Sequence, residues 1–325
     1  MTLTLDTPAR PAAGAFGHRL APAGDPLEGA AFDDIYETKI KPELAKCEAQ
    51  RQQAMLIFMI AIVVGAVLVA LEFMLVPSAG GAWPVGTLQV AFGTGAAAAV
   101  VGYLPLAAVA RRAKVAVINA LCGPLSVTYQ LSAAAAPQFD DFLRLRLLPR
   151  PEDKSFQDFF TGRRGAVDFA ICEANLTQGS GKNRHVVFHG QLFCLSTPRR
   201  LGSTTVVLRN AGWLKSFECP TGLKAVGLED PKFNQTFAVF GSDQVEAREI
   251  LTPAFMQELN NLESVYQGAH IRCAFDQAML LIALEGPNRF EVGSMFSSLV
   301  DRSRVEIIAR NIDQVFKLID EFQGA

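Results

Sequence analysis

Apolar residues fill two long runs early in the chain and then give way to short alternating segments. "AMLIFMIAIVVGAVLVAL", Ala54 to Leu71, carries no charged side chain and continues past Glu72 through "FMLVP" to Pro77. At about 1.5 Å per residue it can cross a hydrocarbon layer of about 30 Å. "VGTLQVAFGTGAAAAVVGYLPLAAVA", Val85 to Ala110, is interrupted by Thr87, Gln89 and Thr94 but is also long enough. Two transmembrane helices are expected, over residues 54–77 and 85–110. The first begins too far along the chain, and is too long, for a cleaved signal peptide. Ala61 and Gly65 in the first run, and Ala91, Gly95 and Ala99 in the second, are small residues four apart. They let two helices pack closely as a hairpin.

Beyond Phe156 the period changes. "GAVDFAICEANLTQGSGKNRHVVFHGQLFCLST" is two strand-like runs joined by a turn cluster, a hairpin signal. "STTVVLRNAG", "LKAVGLEDPKF" and "TFAVF" add short strands, and "AHIRCAF" with "AMLLIALEG" forms a second hairpin. From Arg302 to Phe322, Val305, Ile308, Ile312, Val315, Phe316, Ile319 and Phe322 recur at helical spacing. The expected fold class is α+β: a two-helix transmembrane hairpin plus a cytoplasmic domain. That domain has a mainly antiparallel sheet, a helical insert and a C-terminal amphipathic helix.

The insert is the most ordered stretch to the eye. In "GSDQVEAREILTPAFMQEL", Asp243 is a good N-cap, with Glu246 placed to reach back to the cap's own N–H. Thr252 caps a second helix with Pro253 in its first position. Leu251 and Met256 stand where a hydrophobic staple forms, and Phe255, Leu259, Leu262 and Tyr266 make a buried stripe. These are architectural roles, which leaves Arg248 and Glu249 without one.

The remaining divisions follow from composition. Residues 1–30, rich in Ala, Pro and Gly, read as a disordered tail. Residues 31–53 read as a juxtamembrane helix, with Phe32, Ile35, Tyr36 and Ile40 on one face and a kink at Pro42. Residues 111–155 read as a cytoplasmic helical connector, bent at Gly123 and Pro124, and residues 156–325 as the cytoplasmic α+β domain. Within the connector, "LSVTYQLSAAAAPQFDDFLRLRLLPRP" is either a helix on the membrane surface or a solvated linker.

Charge then sets orientation. Lys39, Lys41, Lys46 and Arg51 precede the first run, Arg111, Arg112 and Lys114 follow the second, and the link between them has no Lys or Arg. The positive-inside rule puts both termini in the cytoplasm of a two-pass protein. Trp83 falls at the outer interface, and Glu72 is expected to snorkel there. Arg111, Arg112, Lys114, Arg144 and Arg146 are candidates for contact with anionic lipid. A net charge of −2 over 325 residues, with a pI near 6.1, gives no field that favours nucleic acid.

Candidate chemistry is sparse. The six cysteines, Cys47, Cys122, Cys172, Cys194, Cys219 and Cys273, are scattered without zinc-site spacing and read as reduced core residues. "GSGKN", Gly179 to Asn183, lacks the earlier glycine of a phosphate loop, and Asn183 stands where Ser or Thr would bind magnesium. His185 and His189 on a strand are about 13 Å apart and cannot share a metal. No GxSxG elbow occurs. The sequence therefore assigns no catalytic, cofactor-binding or metal-ligating residue, and no cofactor. An enzyme would draw on Asp168, Glu173, His185, His189, Glu229, Asp230 and Arg248, if folding gathered them into one cleft.

Several blocks carry a family resemblance: "FDDIYETKIKPELAKCEAQR", "FQDFFTGRRGAVDFAICEA", "VVFHGQLF", "LEDPKFNQTFAVFGSDQVEAREILTPAFMQEL" and "IRCAF". Over nearly all of Phe32 to Phe322 the chain resembles the bacterial membrane family catalogued as domain of unknown function 3137. The resemblance implies a bacterial inner-membrane protein with a cytoplasmic domain, and implies no activity. The expected function is a membrane-anchored binding or scaffold module, with a protein partner or a homo-oligomer. The alternative is an enzyme acting on a membrane-proximal substrate.

Overall fold

The computed structural model describes residue 27 and residues 29–76, 83–197, 200–210, 220–265, 270–291 and 293–324. The tail up to residue 26, part of the 77–84 link, Cys219, Tyr266 and the side chain of Phe322 lie outside the described residues.

Helix α1 (Gly29–Ile35) passes through a π-type turn, Tyr36–Ile40, into α2 (Lys41–Leu75). Pro42 does not break the path. It sits in the first turn of α2, where a missing N–H is harmless, and the wide turn before it accommodates the ring. Helix α3 (Val85–Cys122) is continuous, with Pro105 inside it. Gly123 and Pro124 end it in a short 3₁₀ turn.

The two long helices pack antiparallel through small residues. A Cβ added to Gly65 would meet that of Ala98 at 2.6 Å, and one added to Gly102 would meet that of Ala61 at 2.8 Å. The expected pair Ala61 and Gly65 makes this contact. On α3 the contact falls to Ala98 and Gly102, while a Cβ on Gly95 would meet nothing within 4 Å. Glu72 differs from expectation. It accepts a 2.8 Å hydrogen bond from the Thr94 hydroxyl of α3 instead of reaching out to the interface. Trp83 packs edge-on against Phe73, with ring centroids 4.9 Å apart.

The rest of the chain builds one antiparallel sheet. In chain order its elements are β1 (Thr128–Ser132), α4 (Phe139–Arg144), β2 (Asp153–Arg164), β3 (Val167–Gln178), β4 (His185–Ser196), β5 (Thr205–Arg209) and β6 (Lys224–Ala225). Then come α5 (Pro231–Thr236), β7 (Phe237–Gly241), α6 (Gln244–Ile250), α7 (Pro253–Val265), β8 (Ile271–Asp276), β9 (Met279–Glu285) and α8 (Arg302–Gly324). Among the described residues the strand order is β1-β2-β3-β4-β9-β8-β5-β7-β6. Both expected hairpins form, as β3–β4 and β8–β9. "GSGKN" is the first hairpin's turn: Gly179 has φ +77°, and a Cβ there would lie 2.3 Å from the Asn183 carbonyl oxygen.

The sheet starts earlier than the hydropathy pattern suggests. β1 lies inside the stretch read as a helical connector, and β2 begins at Asp153. The remainder of that stretch, α4 and the turn after it, is not laid on a membrane surface. Phe139, Phe142, Leu145, Leu147 and Leu148 bury themselves against one face of the sheet. The opposite face packs on the end of α3, on α7 and on α8, through residues such as Phe169, Ile171, Phe193, Leu259 and Ile308. Ala113, Val117, Ile118 and Leu121 of α3 are fully buried there.

The insert is capped much as read. The Asp243 carboxylate accepts from the N–H groups of Val245 and Glu246, and Thr252 Oγ1 accepts from the Phe255 N–H at 3.2 Å. Glu246 does not reach back to its cap; its carboxylate accepts instead from the Gly202 N–H at 3.1 Å. Leu251, Phe255, Met256, Leu259 and Leu262 are buried. Cys47, Cys122, Cys172, Cys194 and Cys273 are unbridged and buried, as expected of core residues.

Candidate functional site

Polar side chains gather where α3 enters the sheet. Lys114, four residues past the second apolar run, is 5% exposed. Its ammonium lies 2.8 Å from Asp158 Oδ2 and 2.9 Å from Glu291 Oε1. Asp158 is 1% exposed. It sits at a bulge in β2, with φ +49°, where the register against β3 slips between Gln157 and Phe160. The bulge turns a carboxylate inward that regular pleating would have placed elsewhere. Tyr129 of β1 donates its hydroxyl to Asp158 Oδ1 at 2.6 Å.

The next strands extend the cluster. Glu173 of β3 is directly opposite Gln191 of β4, and both are buried. Glu173 shares its face with Ile171, and Gln191 shares its own with Phe193, because side chains two apart on a strand point the same way. One Glu173 oxygen lies 3.4 Å from His189 Nε2. Neither the other Glu173 oxygen nor either polar atom of the Gln191 amide has a hydrogen-bond partner among the described residues. Buried polar atoms are seldom left so, because the cost resembles that of a lost hydrogen bond.

Burial and mutual charge set the protonation of this group. Burial, helped by the nearby charge of Asp158, pushes the Glu173 carboxyl up to about 8. Burial also raises Asp158, against the lowering pull of Lys114 and Tyr129. Burial works against the Lys114 ammonium, yet Asp158 and Glu291 outweigh it and its pKa is raised. Burial and the adjacent Asp158 carboxylate raise Tyr129. The arrangement can hold a proton on Glu173 at neutral pH. His189 and Glu291, with side chains 36% and 52% exposed, are its edges toward solvent.

Of the seven residues an enzyme would draw on, two meet: Glu173 and His189. The others are apart. Asp168 pairs with Arg163 at the far end of β3 at 2.8 Å. His185 lies against the Asn183 carbonyl in the hairpin turn. Asp230 caps α5, Arg248 donates to the Gly227 carbonyl, and Glu229 is exposed on the loop before α5. Sequence reading missed Asp158, Tyr129, Gln191 and Glu291, and placed Lys114 at the lipid surface. The structure removes Lys114 from that set, since its charge is buried and paired. Arg144 is also engaged, with Asp141 at 2.8 Å and Asp276 at 2.6 Å. A signal for the strand residues was present: Glu173 in "FAICEANL" and Gln191 in "FHGQLFCL" interrupt apolar faces. Among the described residues no group of three or more His, Cys, Asp or Glu could hold a metal ion.

A second feature is a groove of about 510 Å³ between α1 and α8. Phe32, Asp33, Arg302, Glu306 and Arg310 are among its lining residues. Arg302 lies over the rings of Phe32 and Tyr36 and pairs with Asp33 and Glu306. Its charges are largely matched within the groove.

Fold and site define a class: two apolar helices long enough to cross a membrane, joined without a linker to an antiparallel α+β domain. Residues 186–323 match the model of the family described as "Protein of unknown function (DUF3137)", the family that the sequence resembles. The match runs from β4 to α8, so it includes His189, Gln191 and Glu291 and leaves out Lys114, Asp158 and Glu173. No curated protein matches the chain. Among solved structures, the crystal structure of the mycobacterial trehalose monomycolate transport factor A is similar at 9% identity. That similarity covers 62% of this chain and 92% of that one, with a TM-score of 0.32.

Proposed function

We propose that the protein is a membrane-anchored binding or scaffold module on the cytoplasmic face of a bacterial inner membrane, crossing twice with both termini inside. One observation carries the reading: α3 is a single helix from Val85 to Cys122, and its last turns are core of the sheet domain. The domain is thus fixed to the second span with no hinge. Leu56, Val63 and Phe92, respectively 62%, 59% and 80% exposed, leave apolar surface outward on the hairpin, which supports the reading. The charge asymmetry around the two runs supports the orientation. A rigid mount suits a surface that must meet a partner at fixed height and angle.

The test is in two parts. A reporter active only outside the cytoplasm, fused after Ala325, should be silent, and one active only inside should be bright; the reverse overturns the orientation. Full-length tagged protein, purified gently from its native host, should bring a stoichiometric partner that is lost when α8 is altered at Ile307, an exposed apolar residue. Partner-free protein would overturn the scaffold reading. The adjacency of Glu173 and His189 favours a second reading, an enzyme acting on a membrane-proximal substrate. That reading requires turnover that Glu173→Gln abolishes.

A further inference from the structure

The loop between β9 and α8 meets the first apolar helix at a telling height. Phe296 is 61% exposed, yet its ring centroid lies 6.0 Å from that of Phe58, edge-on. Phe58 falls within the first apolar run and packs on α3, since a Cβ on Gly102 would lie 3.2 Å from its Cα. The exposed phenylalanine therefore sits beside the first apolar run, at the level where that run leaves the core of the sheet domain.

The loop is held there from both sides. Arg51 of α2 donates to the Met295 carbonyl at 3.0 Å, and Glu48 accepts from the Leu299 N–H at 2.9 Å. Glu48 and Arg51 pair with each other at 2.7 Å, with side chains only 14% and 12% exposed. From α8, Arg304 donates to the Ser294 carbonyl at 3.1 Å and to the Ser297 hydroxyl. Met295 and Leu299 on either side of Phe296 are buried. A backbone fixed at these points presents one large apolar side chain outward by construction. The hydroxyls of Ser294, Ser297 and Ser298 bond to the loop's own backbone and stiffen it further.

We infer that the loop Gly293–Leu299 is a third membrane contact, with Phe296 seated at the boundary of headgroups and acyl chains beside the first span. The occupant of this surface is lipid, because the surface is continuous with the apolar face of α2. An aromatic ring at the end of a polar loop is the residue type that settles at this depth. The inference rests on the membrane reading of the two helices and adds a point where the folded domain itself enters the bilayer.

Tryptophan fluorescence of the full chain in phosphatidylcholine vesicles tests it. In a background carrying Trp83→Phe and Trp213→Phe, Phe296→Trp should emit at blue-shifted wavelength. It should lose emission when the vesicles carry lipid brominated near the top of the acyl chains, and lose less when bromine is deeper. Val63→Trp, in the middle of the first run, should be quenched most by the deep bromines. Val245→Trp, on the exposed insert, should not be quenched. If the Phe296→Trp variant is unquenched while the Val63→Trp variant is quenched, the third contact is overturned and the spans stand. If neither is quenched, the membrane reading falls and the inference with it. Residue 296 is exposed, so the substitution leaves the packed core alone.

Discussion

The Lys114 ammonium and the Asp158 carboxylate face each other at 2.8 Å, one from the end of a long apolar helix and the other from a bulge in β2. The pair joins the helix hairpin to the sheet by charge as well as by packing. Removing one partner of a buried pair strands the other in low dielectric, at about 3–5 kcal/mol. Lys114→Met should therefore destabilise the domain by that order at pH 7, measured by thermal unfolding in detergent. Adding Asp158→Asn should recover much of the loss, because the amide tolerates positive φ and carries no charge. Additive losses would show that the two side chains do not act as a pair.

Glu173 makes stability depend on pH with a defined sign. Its folded pKa is raised, from an ordinary 4.5 to about 8. The folded state thus holds a proton that the unfolded chain has released between these values, and stability falls as pH rises through this window. Glu173→Gln should flatten that slope and leave the variant more stable than the parent above pH 8. Melting temperatures across pH 5 to 9 would read it directly, and an unchanged slope would refute the assignment.

Glu48 has the opposite sign. Its hydrogen bonds from Arg51, set against burial and joined by the Leu299 amide, hold it down at about 2. That contribution is present above its ordinary 4.5 and is lost as pH falls toward 2. Glu48→Gln should weaken the grip on the β9–α8 loop even at pH 7. Hydrogen exchange at the Leu299 amide should speed up in that variant, while exchange in the β8–β9 hairpin stays as it was.

The helix pair offers two substitutions with different physics. Thr94→Val removes the donor to Glu72, whose second oxygen is buried without a partner among the described residues. Hydrogen bonds between membrane helices are worth about 0.6–1.7 kcal/mol, so the hairpin should loosen by about that much. Gly102→Val pushes a side chain against Ala61 and the Phe58 backbone, and overpacking of this kind costs about 1–3 kcal/mol. Thermal unfolding in detergent should read both losses, and an unchanged midpoint for Gly102→Val would show that the helices do not pack through the Gly102–Ala61 contact.

Much of this fold was legible because period and end signals agree. Asp243 and Thr252 are caps in the sequence and caps in the structure, and Val305 to Ile319 fall on a helix face that is indeed buried. The stretch from Ser126 to Pro151 was not legible. β1 pairs with a strand beyond it in the chain, and Phe139 and Phe142 belong to a core assembled from distant segments. The polar cluster was half legible. Glu173 and Gln191 break apolar faces in plain view, but Asp158 points inward only because of a bulge. Lys114 looks like any cation flanking a span until the sheet closes over it.

The length of α3 has a mechanical consequence. Its 38 residues make a rod of about 57 Å, well beyond the roughly 30 Å of a hydrocarbon layer. A bilayer that thins obliges its helices to lean. On the proposed membrane reading, with the rod's far end built into the sheet and no slack between, the whole domain leans by the same angle, like a signboard on its post.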